Sequence, residues 1–268
     1  MIFACVGRLP KDCTIPGMTQ RKPVLYVFAI SHYCEKARWA LDYLGLPYDL
    51  RFVAPGEHGK IAKQLGAPAS SVPYLAVDGQ VIQGSADIID WADSTAAEPA
   101  RHLNPDDVNL AKCQEIENRI DAIAGVHIRR FYYSEALVEH PETVRPIFTK
   151  NLPLPKKLLI GLAWKKIQKI MIRRMDLGLQ QGLESKEVVQ QELDWVDDLL
   201  AGGRKYLVGD RFSRADIAVA SLLAPLALPA EHPTYAAMQH PPRLAGDVAE
   251  WNQRPALNWV RDIYAQHR

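Results

Sequence analysis

Ser31 and Cys34 are the residues whose types and spacing most directly suggest chemistry. They lie in the segment SHYCEKAR at residues 31–38, between an apolar run and a stretch with helical spacing. The first turn of a helix presents unpaired backbone N–H groups and a partial positive charge, so it stabilises an anion placed there. A thiolate at this point would also accept a hydrogen bond from the Ser31 hydroxyl, which lowers the thiol pKa. The segment therefore predicts a site for an activated sulfur nucleophile.

Both residues also have structural interpretations. Ser31 can cap the helix through its side-chain oxygen. Cys34 can be a buried cysteine that behaves as a small apolar residue. As a chemical alternative, the first-turn position could lower the pKa of the Cys34 thiol and support thiol–disulfide exchange. That exchange requires an exposed thiol.

The elements that would position these residues alternate between strands and helices in the first third of the chain. Strands are predicted at residues 24–29, 48–53, 74–77 and 80–82, and helices at 33–44, 57–65 and 85–94. Asp78 and Gly79 favour a type I′ turn between the last two strands. The order β-α-β-α-β-β-α predicts a mixed sheet covered by helices on both faces.

After Pro99 the strand signals end and the chain is predicted to be helical. Helical periodicity covers residues 108–134, 155–175, 185–201, 213–228 and 255–266. We predict an irregular extension over 1–22, in which Met18 is a candidate natural start, and an α/β domain over 23–96. A linker over 97–107 leads to an all-helical domain over 108–268. This second domain is predicted to include an additional segment at about 140–180.

The composition argues against several classes of function. A net charge of +1 over 268 residues gives no basic field for nucleic acid. No apolar run reaches the roughly 18 residues of a membrane span. The sequence has no phosphate-binding glycine motif, and its histidines and cysteines lack metal-ligand spacing, so we predict no metal. The four cysteines form no CxxC pair, and the first residues resemble no secretory signal, which favours a reducing, cytoplasmic location.

Four segments together resemble the glutathione transferase superfamily, from about residue 24 to the C-terminus. They are SHYC at 31–34, SVPYL at 71–75, SADII at 85–89 and YLVGDRFSRADI at 206–217. In the last segment, Ser213 and Asp216 are similar to the family's helix-capping motif. The resemblance implies an α/β thioredoxin-like domain followed by an all-α helical-bundle domain, a homodimer, and glutathione as substrate.

The resemblance also implies roles for the first segment. Ser31 would activate the thiol of glutathione, which like free cysteine has a pKa of about 8.5 and is mostly protonated at neutral pH. In redox relatives of this fold, the position of Ser31 carries the attacking cysteine and the position of Cys34 the resolving one. This chain keeps only the second, so the resemblance favours Ser31 as the catalytic residue and leaves Cys34 as the alternative.

The second and third segments would hold the tripeptide. The resemblance implies a cis peptide bond between Val72 and Pro73, with the Val72 main chain pairing with the cysteinyl backbone of glutathione. Ser85 is expected to cap a helix and to receive the γ-glutamyl carboxylate. The family's acidic or Gln residue directly before this serine is replaced by Gly84, with Gln83 one place earlier. This departure bears on glutathione affinity.

A pocket for a second substrate is expected between the two domains, where ligand clefts commonly form. Four residues of the helical half are candidates for its lining: His127, Arg130, Tyr133 and Trp164, with Tyr132 as a further one. The alternative is that these aromatic side chains belong to the core.

Residues 155–175 predict a basic amphipathic helix. Ile160, Trp164, Ile167 and Met171 share one face, and Lys165, Lys169 and Arg173 share another. Such a helix can pack on its own protein, contact an anionic membrane or a partner, or form a lid over the pocket.

The resemblance thus implies an enzyme of the detoxification type that transfers the glutathione thiolate to a small hydrophobic electrophile. The alternative is a non-catalytic binding module of the same fold, peripherally associated with an anionic membrane through residues 155–175. No nucleic-acid partner is expected in either case.

Overall fold

The computed structural model describes residues 22–105 and 108–268. The extension predicted over 1–22 and the candidate start Met18 therefore lie almost entirely outside the described residues. The α/β half follows the predicted order. Its elements are β1 (Val24–Val27), α1 (His32–Tyr43), β2 (Asp49–Phe52), α2 (Glu57–Leu65), β3 (Tyr74–Val77), β4 (Gln80–Gln83) and α3 (Ser85–Thr95).

The four strands form one mixed sheet in the order β2-β1-β3-β4. Strand β1 is parallel to β2 and antiparallel to β3, and β3 pairs with β4 as a hairpin. At the hairpin turn, Asp78 and Gly79 have φ values of 48° and 78°. Both are positive, as a type I′ turn requires. The predicted mixed sheet and its hairpin are confirmed.

Side chains alternate between the two faces of the sheet, so helices cover both. Leu25 and Leu75 pack into the main core together with α1 and α3. Tyr26 and Tyr74 point the other way and pack with Ala62 of α2 in a smaller cluster. This period of two is the sheet's ordinary geometry. The chain leaves the sheet at the end of β1 and enters α1 at His32.

The rest of the described chain is helical. After a short 3₁₀ turn (Pro99–Arg101) come α4 (Asn109–Ala122), α5 (Ala124–Ala136), α6 (Pro141–Thr149), α7 (Leu154–Met175), α8 (Leu179–Leu199), α9 (Arg214–Ala227), α10 (Pro242–Trp251) and α11 (Pro255–His267). Within the described ranges, no helix combines the length and the apolar character needed to cross a bilayer.

Three helical predictions need correction. The single helix predicted over 108–134 is two helices, because Ile123 adopts a backbone conformation (φ −109°, ψ −74°) outside the regular helical range. Helices α6 and α10 were not predicted. Both begin with a proline, which suits the first helical position although it suggests a break in the sequence. Residues 140–180, which are predicted to be an additional segment, contain α6, α7 and the start of α8.

Helix α9 is the centre of the helical half, and every one of its residues is buried. Its start has the predicted capping motif. The backbone N–H and the hydroxyl of Ser213 each donate to the Asp216 carboxylate at 2.9 Å. The Leu207 N–H donates to the same carboxylate at 2.8 Å. Asp216 thereby ties the preceding loop to the first turn of α9.

A buried charge network joins the two halves. Lys36 of α1 is fully buried, and its Nζ lies 2.7 Å from Glu117 Oε1 and 2.6 Å from Asp121 Oδ2 of α4. Arg214 of α9 also binds Glu117, and it donates to Asn104 Oδ1 at 2.8 Å. Helix α1, which carries the SHYC segment, is therefore held against the helical half by a largely buried charge network, of which Lys36 and Glu117 are shielded from water.

Candidate functional site

A cavity of about 670 Å³ lies between the two halves of the molecule. The α/β half contributes the loop between β1 and α1, the start of α2 and the loop before Pro73. The helical half contributes α5, α6, α7, one residue of α9 and the segment around the 3₁₀ helix Tyr235–Ala237. Most of the lining is aliphatic or aromatic. The cavity is thus a largely apolar cleft, and the start of α1 opens into it.

Ser31 lines this cavity at the N-terminus of α1. It is the N-cap residue (φ −86°, ψ 117°), and its Oγ accepts a hydrogen bond from the backbone N–H of Cys34 at 3.3 Å. A hydroxyl can accept this bond and still donate its own proton. Capping and donation to a bound anion are therefore compatible roles for Ser31.

Two tyrosine hydroxyls tie the start of α1 to the helical half. Tyr235 donates to the backbone carbonyl of Ile30, the residue before Ser31, at 2.6 Å. Tyr33 donates to the backbone carbonyl of Asp121 at 2.6 Å. These bonds hold the main chain on both sides of Ser31, so the direction of its side chain is set by both halves of the protein.

Cys34 lies behind the site. Its side chain is 2% exposed, and burial raises the pKa of the thiol to about 12, against a smaller opposing influence from the Ser31 hydroxyl. The expectation that the first helical turn lowers this pKa is wrong, because desolvation outweighs the field of the helix. Exchange through Cys34 also needs an exposed thiol, which the structure does not provide.

His32 lines the cavity and was missed by the sequence analysis. The residue is buried, and burial lowers the pKa of its imidazole to about 3, with the charge of Arg129 acting in the same direction. Its Nε2 has no hydrogen-bond partner among the described residues. The only sequence signal for His32 is its position next to Ser31, which does not show the direction of the side chain.

The loop before β3 has the expected backbone geometry. The bond between Val72 and Pro73 is cis, and Val72 lines the cavity. Among the described residues, none hydrogen-bonds the main chain of Val72. Gln83 holds this loop: its Oε1 accepts from the Ala69 N–H at 2.8 Å, and its Nε2 donates to the carbonyls of Ala69 at 2.8 Å and Ser71 at 2.7 Å. Its amide is therefore committed to positioning the loop.

The start of α3 differs from the expectation. Gly84 is the N-cap, and Ser85 is the first helical residue, so Ser85 does not cap the helix. Gly84 has φ 104° and ψ 145°, a conformation that strains any residue with a Cβ. This backbone requirement explains glycine at the position where the family has an acidic residue or Gln. Neither Ser85 nor Gln83 is part of the cavity lining.

Of the residues proposed for the second-substrate pocket, Tyr133 lines the cavity, as does its neighbour Tyr132. Neither hydroxyl is hydrogen-bonded to another described residue, so both can bind a ligand. Burial raises the pKa of Tyr132 to about 12 and raises that of Tyr133 as well. Both phenols are therefore neutral hydrogen-bond donors at physiological pH.

The other three candidates do not line the cavity. His127 Nδ1 lies 3.2 Å from Ser185 Oγ on α8. Arg130 donates to Asp176 Oδ2 at 2.6 Å beyond the end of α7. Trp164 packs behind the wall, with its ring 6.3 Å from that of Phe148. Helical spacing shows which residues of α5 share a face, but not how that face is rotated relative to the cavity.

Helix α7 forms one wall of the cavity. Ile167, Ile170, Met171 and Arg174 line the cavity from this helix. Near the start of α7, Lys156 forms an ion pair with Glu57 of α2. The helix therefore spans the cleft and contacts both halves.

Glu135, Glu139 and His140 come together at the end of α5. The Glu135 carboxylate accepts from the backbone N–H of Arg243 at 2.9 Å and of Leu244 at 2.7 Å. The Arg243 side chain pairs with Glu139 at 2.7 Å. Glu135 thus caps the first turn of α10, and the Arg243 guanidinium compensates the charge of Glu139.

Comparisons with known proteins agree with this architecture. The profile of the glutathione S-transferase N-terminal domain matches residues 25–100, and that of the C-terminal domain matches residues 180–258. Together they cover more than half of the chain. The search of curated protein sequences gave no match.

Solved structures share the fold at low sequence identity. The β-etherase LigF from Sphingobium sp. strain SYK-6 is 19% identical, with a TM-score of 0.58 over 90% of this chain and 99% of the other. FzlA from C. crescentus is 19% identical, with a TM-score of 0.57 over 92% and 88%. A glutathione transferase homologue from Sulfitobacter with bound glutathione is 14% identical, with a TM-score of 0.54 over 90% and 91%. With both domain profiles matched in order on the corresponding halves, the chain belongs to the glutathione S-transferase superfamily.

Proposed function

We propose that the protein is a glutathione transferase that places the thiolate of glutathione at Ser31 and transfers it to a hydrophobic electrophile in the adjoining cavity. The observation that carries this proposal is the Ser31 hydroxyl, which stands at the N-terminus of α1 and faces an apolar cleft of about 670 Å³. The Sulfitobacter relative with bound glutathione supports the choice of thiol.

The energy required is modest. Lowering a thiol pKa from about 8.5 by one to two units takes about 1.4 to 2.8 kcal/mol. A hydrogen bond to a charged group contributes about 1.5 to 3 kcal/mol, and the helix N-terminus adds to it. The thiolate sulfur then forms a bond to an electrophilic carbon. With an aryl halide, the halide leaves with the bonding electrons, and the thiol proton has already passed to solvent.

The rest of the tripeptide would lie along the α/β half. The free main-chain groups of Val72 would pair with the cysteinyl backbone, as in an added strand. The first backbone N–H groups of α3, at Ser85, would receive the γ-glutamyl carboxylate. Gln83 contributes indirectly, because its amide fixes the loop that carries Val72.

Ser31→Ala tests the proposal. We expect calorimetry to show similar glutathione affinity in the variant and the wild type. The rate of conjugation to 1-chloro-2,4-dinitrobenzene at pH 6.5 should fall about tenfold to a hundredfold, because the hydrogen bond to the thiolate is lost. Ser31→Thr keeps the hydroxyl and serves as the control. Full activity of Ser31→Ala at pH 6.5, or no glutathione binding by the wild type at millimolar concentration, would contradict the proposal.

A second candidate function, peripheral association with an anionic membrane, is favoured by the surface of α7. Leu154, Leu158, Leu159 and Leu162 are 64–89% exposed near its start. The helix carries lysines and arginines along its length and no acidic residue. An apolar strip beside basic side chains is the pattern of an interfacial helix.

This association is tested by co-sedimentation with vesicles. We expect binding to vesicles with phosphatidylserine and little binding to pure phosphatidylcholine. Leu158→Ser with Leu162→Ser should remove it. The control is Leu179→Ser, which changes a leucine that is 55% exposed on α8. Equal recovery of the wild type with and without anionic vesicles would end this candidate.

Homodimer formation and a cytoplasmic location are also proposed, from the family resemblance and the cysteine pattern. Cys34 and Cys113 are free and buried within the described part of the chain, which suits a reducing compartment. Analytical ultracentrifugation of the full chain would test the dimer.

A further inference from the structure

Two arginines of the cavity lining have no partner of opposite charge within residues 22–105 and 108–268. Arg129 on α5 and Arg174 on α7 both line the cleft and are exposed. Among the described residues, neither forms an ion pair or a hydrogen bond. Their neighbour Arg130 behaves differently, because it pairs with Asp176 at 2.6 Å and lies within 3.5 Å of Glu184.

The cavity also lacks any acid that could balance these charges. No aspartate or glutamate occurs among the described residues that line it. The nearby carboxylate of Glu57 is held by Lys156 and by the backbone N–H of Ala54 at 3.1 Å. Within the part of the chain that the structure describes, the positive charge of the cleft is therefore uncompensated.

The effect of each arginine on a nearby histidine shows which part of the cavity its charge reaches. Arg129 contributes to the lowered pKa of His32, next to Ser31. Arg174 contributes to the lowered pKa of His58 at the start of α2, after the larger influence of burial. One guanidinium thus acts near the proposed thiolate and the other near α2, while Phe148, Ile167 and other apolar side chains form much of the wall.

We propose that the second substrate is an amphipathic anion. Its apolar body would fill the cleft, and its carboxylate, sulfonate or sulfate group would bind Arg129, Arg174 or both. A planar guanidinium binds such oxygens bidentately, and the apolar walls of the cleft would bury the rest of the ligand. The inference rests on the proposed function only for describing this ligand as a substrate, because the charge selectivity belongs to the cavity itself.

Two fluorescent probes test the selectivity without requiring activity. 8-Anilinonaphthalene-1-sulfonate and N-phenyl-1-naphthylamine share the same aromatic body and differ by the sulfonate. We expect the wild type, saturated with glutathione, to bind the sulfonate at least about tenfold more tightly, as one charge-assisted contact provides. Arg129→Gln with Arg174→Gln should remove this preference and leave binding of the uncharged amine unchanged. Arg173→Gln, a neighbouring exposed arginine of α7 outside this lining, is the control.

Each other outcome overturns the inference. Equal binding of both probes by the wild type would show that the cleft has no anion selectivity. A preference that survives in the double variant would place the selectivity elsewhere. If the double variant instead loses glutathione affinity while its probe preference stays, the arginines serve the carboxylates of glutathione. Failure of the proposed function is separate, since it appears as absent conjugation while the probe preference remains.

Discussion

Buried His32 makes the stability of the folded protein depend on pH. Its imidazole is neutral in the folded protein, since burial lowers its pKa to about 3. In the unfolded chain a histidine has a pKa of about 6.5. Between these values the unfolded state binds more protons than the folded state, so the free energy of unfolding falls as the pH is lowered below about 6.5.

We therefore predict an acid-sensitive fold that depends partly on His32. Lowering the pH from 7.5 to 5 should reduce the free energy of unfolding by about 2 kcal/mol through this residue alone. Urea titrations at both pH values would measure it. His32→Gln should show a smaller loss between the two pH values than the wild type, and this difference isolates His32 from buried His232, whose pKa is also lowered. Identical pH dependence in both proteins would contradict the prediction.

At the scale of elements, Gly125 at the start of α5 leaves room for the Tyr33 side chain of α1. Gly125 on α5 lies where an added Cβ would be 2.4 Å from the Tyr33 hydroxyl and 2.6 Å from Leu222 Cδ2. No side chain can occupy that space without movement of Tyr33, whose hydroxyl anchors α1 to Asp121. A residue without a side chain at this point therefore makes room for the Tyr33 ring.

Gly125→Ala should therefore destabilise the protein by about 1 to 3 kcal/mol through overpacking. It should also lower the proposed conjugation activity. Tyr33 lies two places after Ser31, and its displaced hydroxyl would no longer anchor the start of α1 to the Asp121 carbonyl. Gly161→Ala on α7 is the control: nothing lies within 4 Å of its added Cβ, so it should stabilise the helix by about 0.5 to 1 kcal/mol. Urea unfolding of both variants gives the comparison, and equal stability of the two would refute the expected clash.

The order of elements in the α/β half could be predicted because its signals are local. Short apolar runs, helical spacing and the Asp78-Gly79 turn each act within a few residues of the chain. In the helical half, the periodicity predicted most helices but neither the break at Ile123 nor the orientation of α5. The orientation decides that Tyr133 lines the cavity while His127 faces α8, and it depends on packing between residues distant in sequence.

The residues of the candidate site could be predicted where a local motif marks them, and not where their position depends on the packing of distant helices. Ser31 and Val72 were identified through motifs that follow the chain. His32, Arg129 and Arg174 were missed, because their part in the cavity arises only when α5 and α7 close over the α/β half. Gly84 looked like a departure from a binding pattern, and its φ of 104° shows a backbone requirement instead.

At the scale of the whole molecule, the two halves share one buried charge network centred on Lys36. Removing one member of such a network leaves the others charged and without compensation. Lys36→Met leaves the carboxylates of Glu117 and Asp121 next to each other, with Arg214 as the nearby cation of Glu117.

We expect Lys36→Met to lower the free energy of unfolding by about 3 to 5 kcal/mol. Lys112→Met removes a cation from an exposed pair with Glu115, and it should change stability by about 0.5 kcal/mol or less. Chemical denaturation followed by tryptophan fluorescence and by circular dichroism would measure both. A Lys36→Met variant as stable as Lys112→Met would mean that the buried network does not hold the halves together.

The bond from Tyr235 to the carbonyl of Ile30 has a consequence for how such proteins diversify. The serine is encoded in one half of the gene, and the hydroxyl that steadies its backbone is encoded in the other. A chimera joined between the halves would inherit Ser31, the residue proposed to bind the thiolate, from one parent and its anchor from the second. Recombination between relatives should therefore retain activity only where the incoming helical half also supplies a hydroxyl at the position of Tyr235.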